Sequence, residues 1–198
     1  MHIHTCGWLI ALGLLPALAS GQELSYDWIE LQYVNTEIDT GAFEVDGDGF
    51  AIGGSFALTD AFQVIASYSD VSFDLDVDTT SFSIGAGYRY GVGEATDLVA
   101  SLSYVSGEVE TNFGDADDDG FALTAGLRSA VHEQIEVEGG VAYVDLDESG
   151  DETSLFGEGR YWFTDQFAVG AGVDLGDDAT TFTISGRFNF GAARGSRR

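Results

Sequence analysis

Ten stretches of this chain alternate a large apolar residue with a small or polar one, and that period of two constrains the fold more than any other feature. Phe50, Ile52, Phe56 and Leu58 take one side of such a stretch, and Ala51, Gly53, Ser55 and Ala57 take the other. The same grammar returns in Phe82, Ile84, Ala86, Tyr88 and Tyr90, in Phe121, Leu123, Ala125 and Leu127, and in Phe182, Ile184, Gly186, Phe188 and Phe190. Alternation of this kind means strands with one apolar face. A soluble sandwich solvates its second face with Lys, Glu and Thr, whereas here that face is mostly Gly, Ala, Ser and a few arginines. Such a face suits the interior of a narrow barrel whose apolar side meets lipid. The pattern predicts an all-β fold, an antiparallel up-and-down transmembrane β-barrel of ten strands.

The 198 residues include no Lys, seven Arg and 34 acidic residues, for a formal net charge of −27. So acidic a chain argues against nucleic acid and anionic membrane surfaces as partners and favours divalent cations. From Trp8 to Ala19 runs a short apolar segment containing Pro16, followed by small residues that offer cleavage after Ala19 or Gly21. Residues 1–21 therefore read as a secretory signal peptide, with His2 and His4 where Lys or Arg is usual. A spanning helix needs roughly 20 apolar residues, and no segment supplies them, so insertion must be by strands. Cys6, the only cysteine, precedes the apolar run, so the mature chain is expected to lack thiol chemistry, disulfides and lipidation.

Strands are expected at about 26–35, 49–58, 62–70, 80–90, 97–106, 120–130, 135–145, 153–163, 167–175 and 180–190. They make 22–190 one barrel domain and leave 191–198, with Arg194, Arg197 and Arg198, as a short basic periplasmic tail. Four connections are short and light in charge, among them Thr59 to Ala61 and His132 to Gln134. Five others, at about 36–48, 71–79, 107–119, 146–152 and 176–179, read as longer acidic loops, and with their flanks they hold 23 of the 34 acids. One rim is thus intensely negative and the other nearly neutral. Short periplasmic turns, longer outer loops and an even strand count are the arrangement of a bacterial outer-membrane barrel. Tyr33, Tyr68, Tyr104 and Tyr143 with Phe50, Phe82, Phe121 and Phe182 mark one interfacial belt, and Phe62, Tyr90, Phe163, Phe167, Phe188 and Phe190 mark the other.

Several phrases carry a resemblance: Gly54 to Asp60, Ser67 to Asp70, Gly139 to Tyr143 and Arg160 to Asp165. Over about residues 24–190 the chain resembles the small outer-membrane β-barrel proteins of Gram-negative bacteria, of the opacity-protein and porin-like type. The ending Gly186-Arg187-Phe188-Asn189-Phe190 is similar to the aromatic-terminated signal read by the barrel assembly machinery, although Gly191 to Arg198 extends past the usual terminal aromatic. The resemblance implies location in the outer membrane, with lipid and lipopolysaccharide as neighbours. Architecture of this kind leaves biochemical activity open.

Arg89, Arg128, Arg160 and Arg187 lie at inward positions, each a few residues before a short turn or the barrel end. Glu138 falls opposite Arg128 in a simple hairpin register, Glu158 shares a face with Arg160, and Glu30 neighbours Arg187 if the barrel closes. These residues form either a satisfied, ion-paired interior or a selectivity constriction. Arg89, near Gln63 and Ser101, has no acidic neighbour by this reading and is expected to face water. Asp115, Asp117 and Asp119, followed by Gly120, match the opening of a calcium loop, but Gly126 stands where the bidentate Glu belongs. Weak, loose attraction of Ca²⁺ or Mg²⁺ by the rim is expected, with no other cofactor. His132, the only histidine beyond the signal, falls in a periplasmic turn, so no histidine-assisted nucleophile or metal site can form outside, and no enzyme is expected. The expected function is a structural or surface-interaction role with acidic outer loops, an unidentified external ligand and a largely occluded lumen. The alternative is a small diffusion channel with an arginine-lined constriction.

Overall fold

The structure, a computed structural model, describes residues 24–191 apart from positions 42, 43, 75 and 113. The expected signal peptide with Cys6, and the tail arginines Arg194, Arg197 and Arg198, lie outside the described residues. Ten strands form one closed antiparallel barrel. They are β1 (Trp28–Asp39), β2 (Glu44–Ala57), β3 (Phe62–Phe73), β4 (Val77–Gly91), β5 (Thr96–Thr111), β6 (Gly114–His132), β7 (Ile135–Leu146), β8 (Gly150–Trp162), β9 (Phe167–Leu175) and β10 (Ala179–Asn189). Each strand pairs with its sequence neighbours, and β1 pairs with β10 from Trp28 opposite Asn189 to Ile38 opposite Ala179, which leaves no free edge.

Polarity is inverted relative to a soluble protein. The outward side chains Leu31, Phe50, Leu102 and Ile184 are 55–62% exposed, whereas the inward Glu30, Arg128, Arg160 and Arg187 are 2–3% exposed. Apolar surface of this extent is stable only against lipid. The aromatic belts are built as cross-strand pairs: Tyr33 faces Phe50, Tyr68 faces Phe82 and Tyr104 faces Phe121 at the acidic end. At the short-turn end Phe62 pairs with Tyr88 at 5.3 Å between ring centroids, and Phe163 lies 4.9 Å from Tyr161. Backbone bonds also tie the short turns to the ends of neighbouring strands, as from Arg89 N of β4 to Ala61 O and from Trp162 N of β8 to Gln134 O, each at 2.8 Å.

The five acidic connections are not loops over most of their length. The strands run on through them, leaving only 40–43, 74–76, 112–113, 147–149 and 176–178 between elements. At about 3.4 Å per residue, the 19 residues of β6 run about 60 Å, far beyond what the bilayer needs. The cause is that alternation continues where charge density suggests a loop. Val105, Gly107 and Val109 keep the inward parity, while Glu108 and Glu110 take the outward one. The acids Glu37, Asp46, Asp78, Asp117 and Asp145 share that outward parity, on the face that carries aliphatic residues lower down.

Asp115, Asp117 and Asp119 therefore stand on one face of β6, opposite Glu110, Glu108 and Ser106, and do not curl into a calcium loop. Among the described residues no group of three acidic, His or Cys side chains is placed to hold a metal ion. At the same rim Asp118 has a structural job. It accepts hydrogen bonds from Glu148 N at 3.1 Å and Ser149 N at 2.8 Å, tying the β7–β8 turn to β6. The Ser149 hydroxyl, with these backbone donors, holds the Asp118 carboxyl below the usual carboxylate range.

Candidate functional site in the lumen

Strand alternation sends Glu30 (β1), Arg89 (β4), Arg128 (β6), Glu136 and Glu138 (β7), Glu158 and Arg160 (β8) and Arg187 (β10) into the short-turn half of the barrel. Register places Glu30 opposite Arg187, Arg128 opposite Glu138 and Glu136 opposite Arg160. Arg187 Nε reaches Glu30 at 2.5 Å. Arg160 contacts four carboxylates: Glu136 at 2.9 Å, Glu138 at 3.2 Å, Glu30 at 3.5 Å and, closest of all, Glu158. Burial of charge this complete is tolerated only when every charge is paired.

Two contacts depart from the positions read in the sequence. Arg128 binds Glu136 at 2.8 Å, while Glu138, its register partner, stands 3.9 Å away because its carboxylate is drawn to Arg160. Arg89 does not face water. Its Nε donates to the Asp60 carbonyl at 2.7 Å and its Nη2 to the Thr59 carbonyl at 3.1 Å, and it lies 4.0 Å over the Tyr26 ring.

Tyr26 and Trp28 are members of the site that the sequence reading did not single out. The Tyr26 ring fills the space between Arg89 and Arg128, whose guanidinium lies 4.7 Å from the ring centroid, and its hydroxyl donates to Asp97 at 2.8 Å. Arg187 lies 4.0 Å over Trp28, and Arg128 Nη1 donates to the Ser25 carbonyl at 3.0 Å. Both aromatics share the parity of Glu30, and that parity is the signal that could have found them. Gly170 on β9 makes room for Glu158 and Arg160: a Cβ there would come within 2.6 Å of Ser185 Oγ, 2.9 Å of Glu158 Oε1 and 3.1 Å of Arg160 Cγ.

The contacts do not stay along the wall. Arg160 of β8 reaches Glu30 of β1, and Arg187 of β10 comes within 3.9 Å of Glu136 of β7, so ion pairs cross the lumen between strands three apart. Above them the interior widens into a chamber of about 310 Å³, into which the less buried Glu138 and Glu158 project. The opposite wall is small and hydroxylated, with Ser67 bonded to Ser83 at 2.7 Å and Ser101 bonded to Thr124.

A family profile for the outer membrane protein beta-barrel domain matches residues 8–174. The chain belongs to that family. Its members' barrel accounts for the exposed apolar wall, and the protein is an outer-membrane barrel. No curated protein matches the sequence. Among solved structures, this outer-membrane barrel is similar to an outer membrane channel from Pseudomonas putida F1, at 10% identity and a TM-score of 0.53, covering 85% of this chain and 97% of that one. It is also similar to the N-terminal β-barrel domain of OprF from Pseudomonas aeruginosa, at 14% identity and a TM-score of 0.45, covering 83% and 100%. A third is Ail, the attachment invasion locus protein of Yersinia pestis, at 16% identity and a TM-score of 0.42, covering 83% and 98%.

Proposed function

We propose that this outer-membrane barrel is a non-catalytic surface protein with an occluded lumen, and that it works through its acidic outer rim. The observation that carries the reading is the set of ion pairs crossing the lumen, with Arg128, Arg160 and Arg187 at side-chain exposures of 2–4%. Water barely reaches these groups, and the Tyr26 ring fills the gap on their β4 side. Small barrels are filled by their own side chains, and wide aqueous channels need more strands.

At the rim, the outward parity of the acids sets carboxylates just above the upper aromatic belt, at the height of lipid headgroups. Ca²⁺ or Mg²⁺ gathered there would bridge to lipopolysaccharide phosphates, a loose association in keeping with carboxylates spread along strands. The barrel assembly machinery is the partner in biogenesis, through the aromatic ending at Phe188 and Phe190. Catalysis is not part of this reading, since His132 sits at the short-turn end, where its Nδ1 accepts from Gln134 N at 3.3 Å.

Liposome swelling tests the occlusion. Vesicles carrying the refolded protein are expected to swell in isosmotic arabinose no faster than protein-free vesicles. Rapid swelling would favour the diffusion channel, with the arginines as its constriction.

A further inference from the structure

We infer that the lumen chamber is a binding site for a neutral polyhydroxylated solute of monosaccharide size, entered from the acidic end. The inference rests on the occluded-lumen reading only for the direction of entry. Its volume of about 310 Å³ lies at the small end of ligand pockets.

Charge decides against an ionic ligand. Four arginines (Arg89, Arg128, Arg160, Arg187) and four glutamates (Glu30, Glu138, Glu158 and, paired behind the wall with Arg128 and Arg160, Glu136) make up the cluster at and beneath the chamber, so its arginine and glutamate charges balance. A net anion or cation entering from water would lose hydration without finding an excess of the opposite sign. A neutral ligand loses less, provided that it hydrogen-bonds.

Unused hydrogen-bonding capacity points to what that ligand carries. Arg128 is 2% exposed, yet its Nη2 has no hydrogen-bond partner among the described residues, and neither has the buried Gln63 Oε1. Both residues line the chamber. Neither atom is open to the chamber until its side chain turns toward a ligand, at which point one needs an acceptor and the other a donor, and a hydroxyl is both. Ser101 and Thr124, bonded to each other, and the Gln32 amide, which donates to Glu30 at 2.8 Å, keep acceptor lone pairs, and the hydroxyl pair and the amide each keep one further donor hydrogen. Gln63 lies flat in the wall because Gly87 leaves it space: a Cβ there would stand 2.7 Å from Gln63 Nε2.

The chamber is not uniformly polar. Trp28 and Phe156 also line it, offering ring faces of the kind that the C–H face of a pyranose covers. Ser67 points inward by register and is nevertheless exposed, so solvent reaches the chamber's upper wall. The ion pairs close the other end.

The test uses the refolded full chain in detergent, with Trp8→Phe and Trp162→Phe introduced so that Trp28 reports alone. Titration with D-glucose is expected to change Trp28 emission saturably. Thr124→Val and Gln32→Leu are each expected to weaken the response about fivefold, the worth of one hydrogen bond, with unchanged gel mobility as evidence of folding. Isothermal titration of the wild-type barrel with D-glucose provides a readout independent of any substitution. No saturation with glucose, galactose or glycerol in either measurement overturns the inference. So does a stronger response to galacturonate or glucosamine than to glucose, or binding indifferent to both variants. Swelling separates the two claims: binding with fast swelling in glucose leaves the site and removes the occlusion, whereas neither binding nor swelling removes the site and leaves the occlusion.

Discussion

A buried arginine keeps its charge whatever surrounds it, so each of the lumen arginines has to find its counter-groups within side-chain reach. Reach, not register, decides which carboxylate it takes. Glu30 with Arg187 was legible from strand alternation plus barrel closure, because both residues stand at directly opposed positions. Glu136 as the main partner of Arg128 was not, since it depends on Arg160 pulling Glu138 away. Tyr26 beneath Arg89 was hidden for a similar reason: its place is set by a gap between β4 and β6 that exists only in the closed barrel. The assignment has a double-mutant test. Arg128→Ala and Glu136→Ala are each expected to cost about 3–5 kcal/mol by orphaning a buried charge. The double mutant is expected to lose clearly less than the sum. Urea titrations of the four proteins in detergent measure this, and additive losses would mean that the pair does not interact.

Strands and hairpins carry the division between the lipid and rim zones. Strand existence and parity were legible throughout, whereas five acidic segments read as loops because charge usually marks loops; here Val, Thr and Gly on the alternate positions keep β-geometry going. Leu102 on β5, 55% exposed on the outward face, tests the lipid assignment. Leu102→Arg is expected to cost about 2–4 kcal/mol when refolding into vesicles is measured, and an unchanged stability would contradict it. Higher up, the hairpins set like charges directly opposite one another, Asp78 with Glu110, Glu108 with Asp117 and Asp145 with Asp151, an arrangement that repels unless counter-ions gather. Changing Asp115, Asp117 and Asp119 together to Asn is therefore expected to lower Ca²⁺ uptake only in part by equilibrium dialysis, while complete loss would mean a specific site. Asp118 has a pH signature. Its carboxyl is depressed in the folded state, so its contribution is present above the unfolded value of about 3.9 and is lost as pH falls through the folded one. The amide NMR signals of Glu148 and Ser149 are expected to hold steady from neutral pH down to about 4 and to move only below it. Movement in the range from 5 to 7 would contradict the tie.

For the molecule as a whole, the described strands make one closed wall with polarity inverted, an acidic collar at one end and crossed ion pairs toward the other. Architecture and location follow from alternation, belts and family membership, while the state of the lumen follows only from how side chains meet across it. The central claim is that the crossed pairs and Tyr26 shut the barrel. Single-channel recording in planar bilayers tests it most directly, comparing the wild-type protein with a Tyr26→Ala, Arg160→Ala variant that removes the ring and the four-carboxylate hub. The wild-type protein is expected to give a silent baseline across the voltage range while the variant gives current steps. Stable unitary steps from the wild-type barrel, matching those of the variant, would contradict the occlusion.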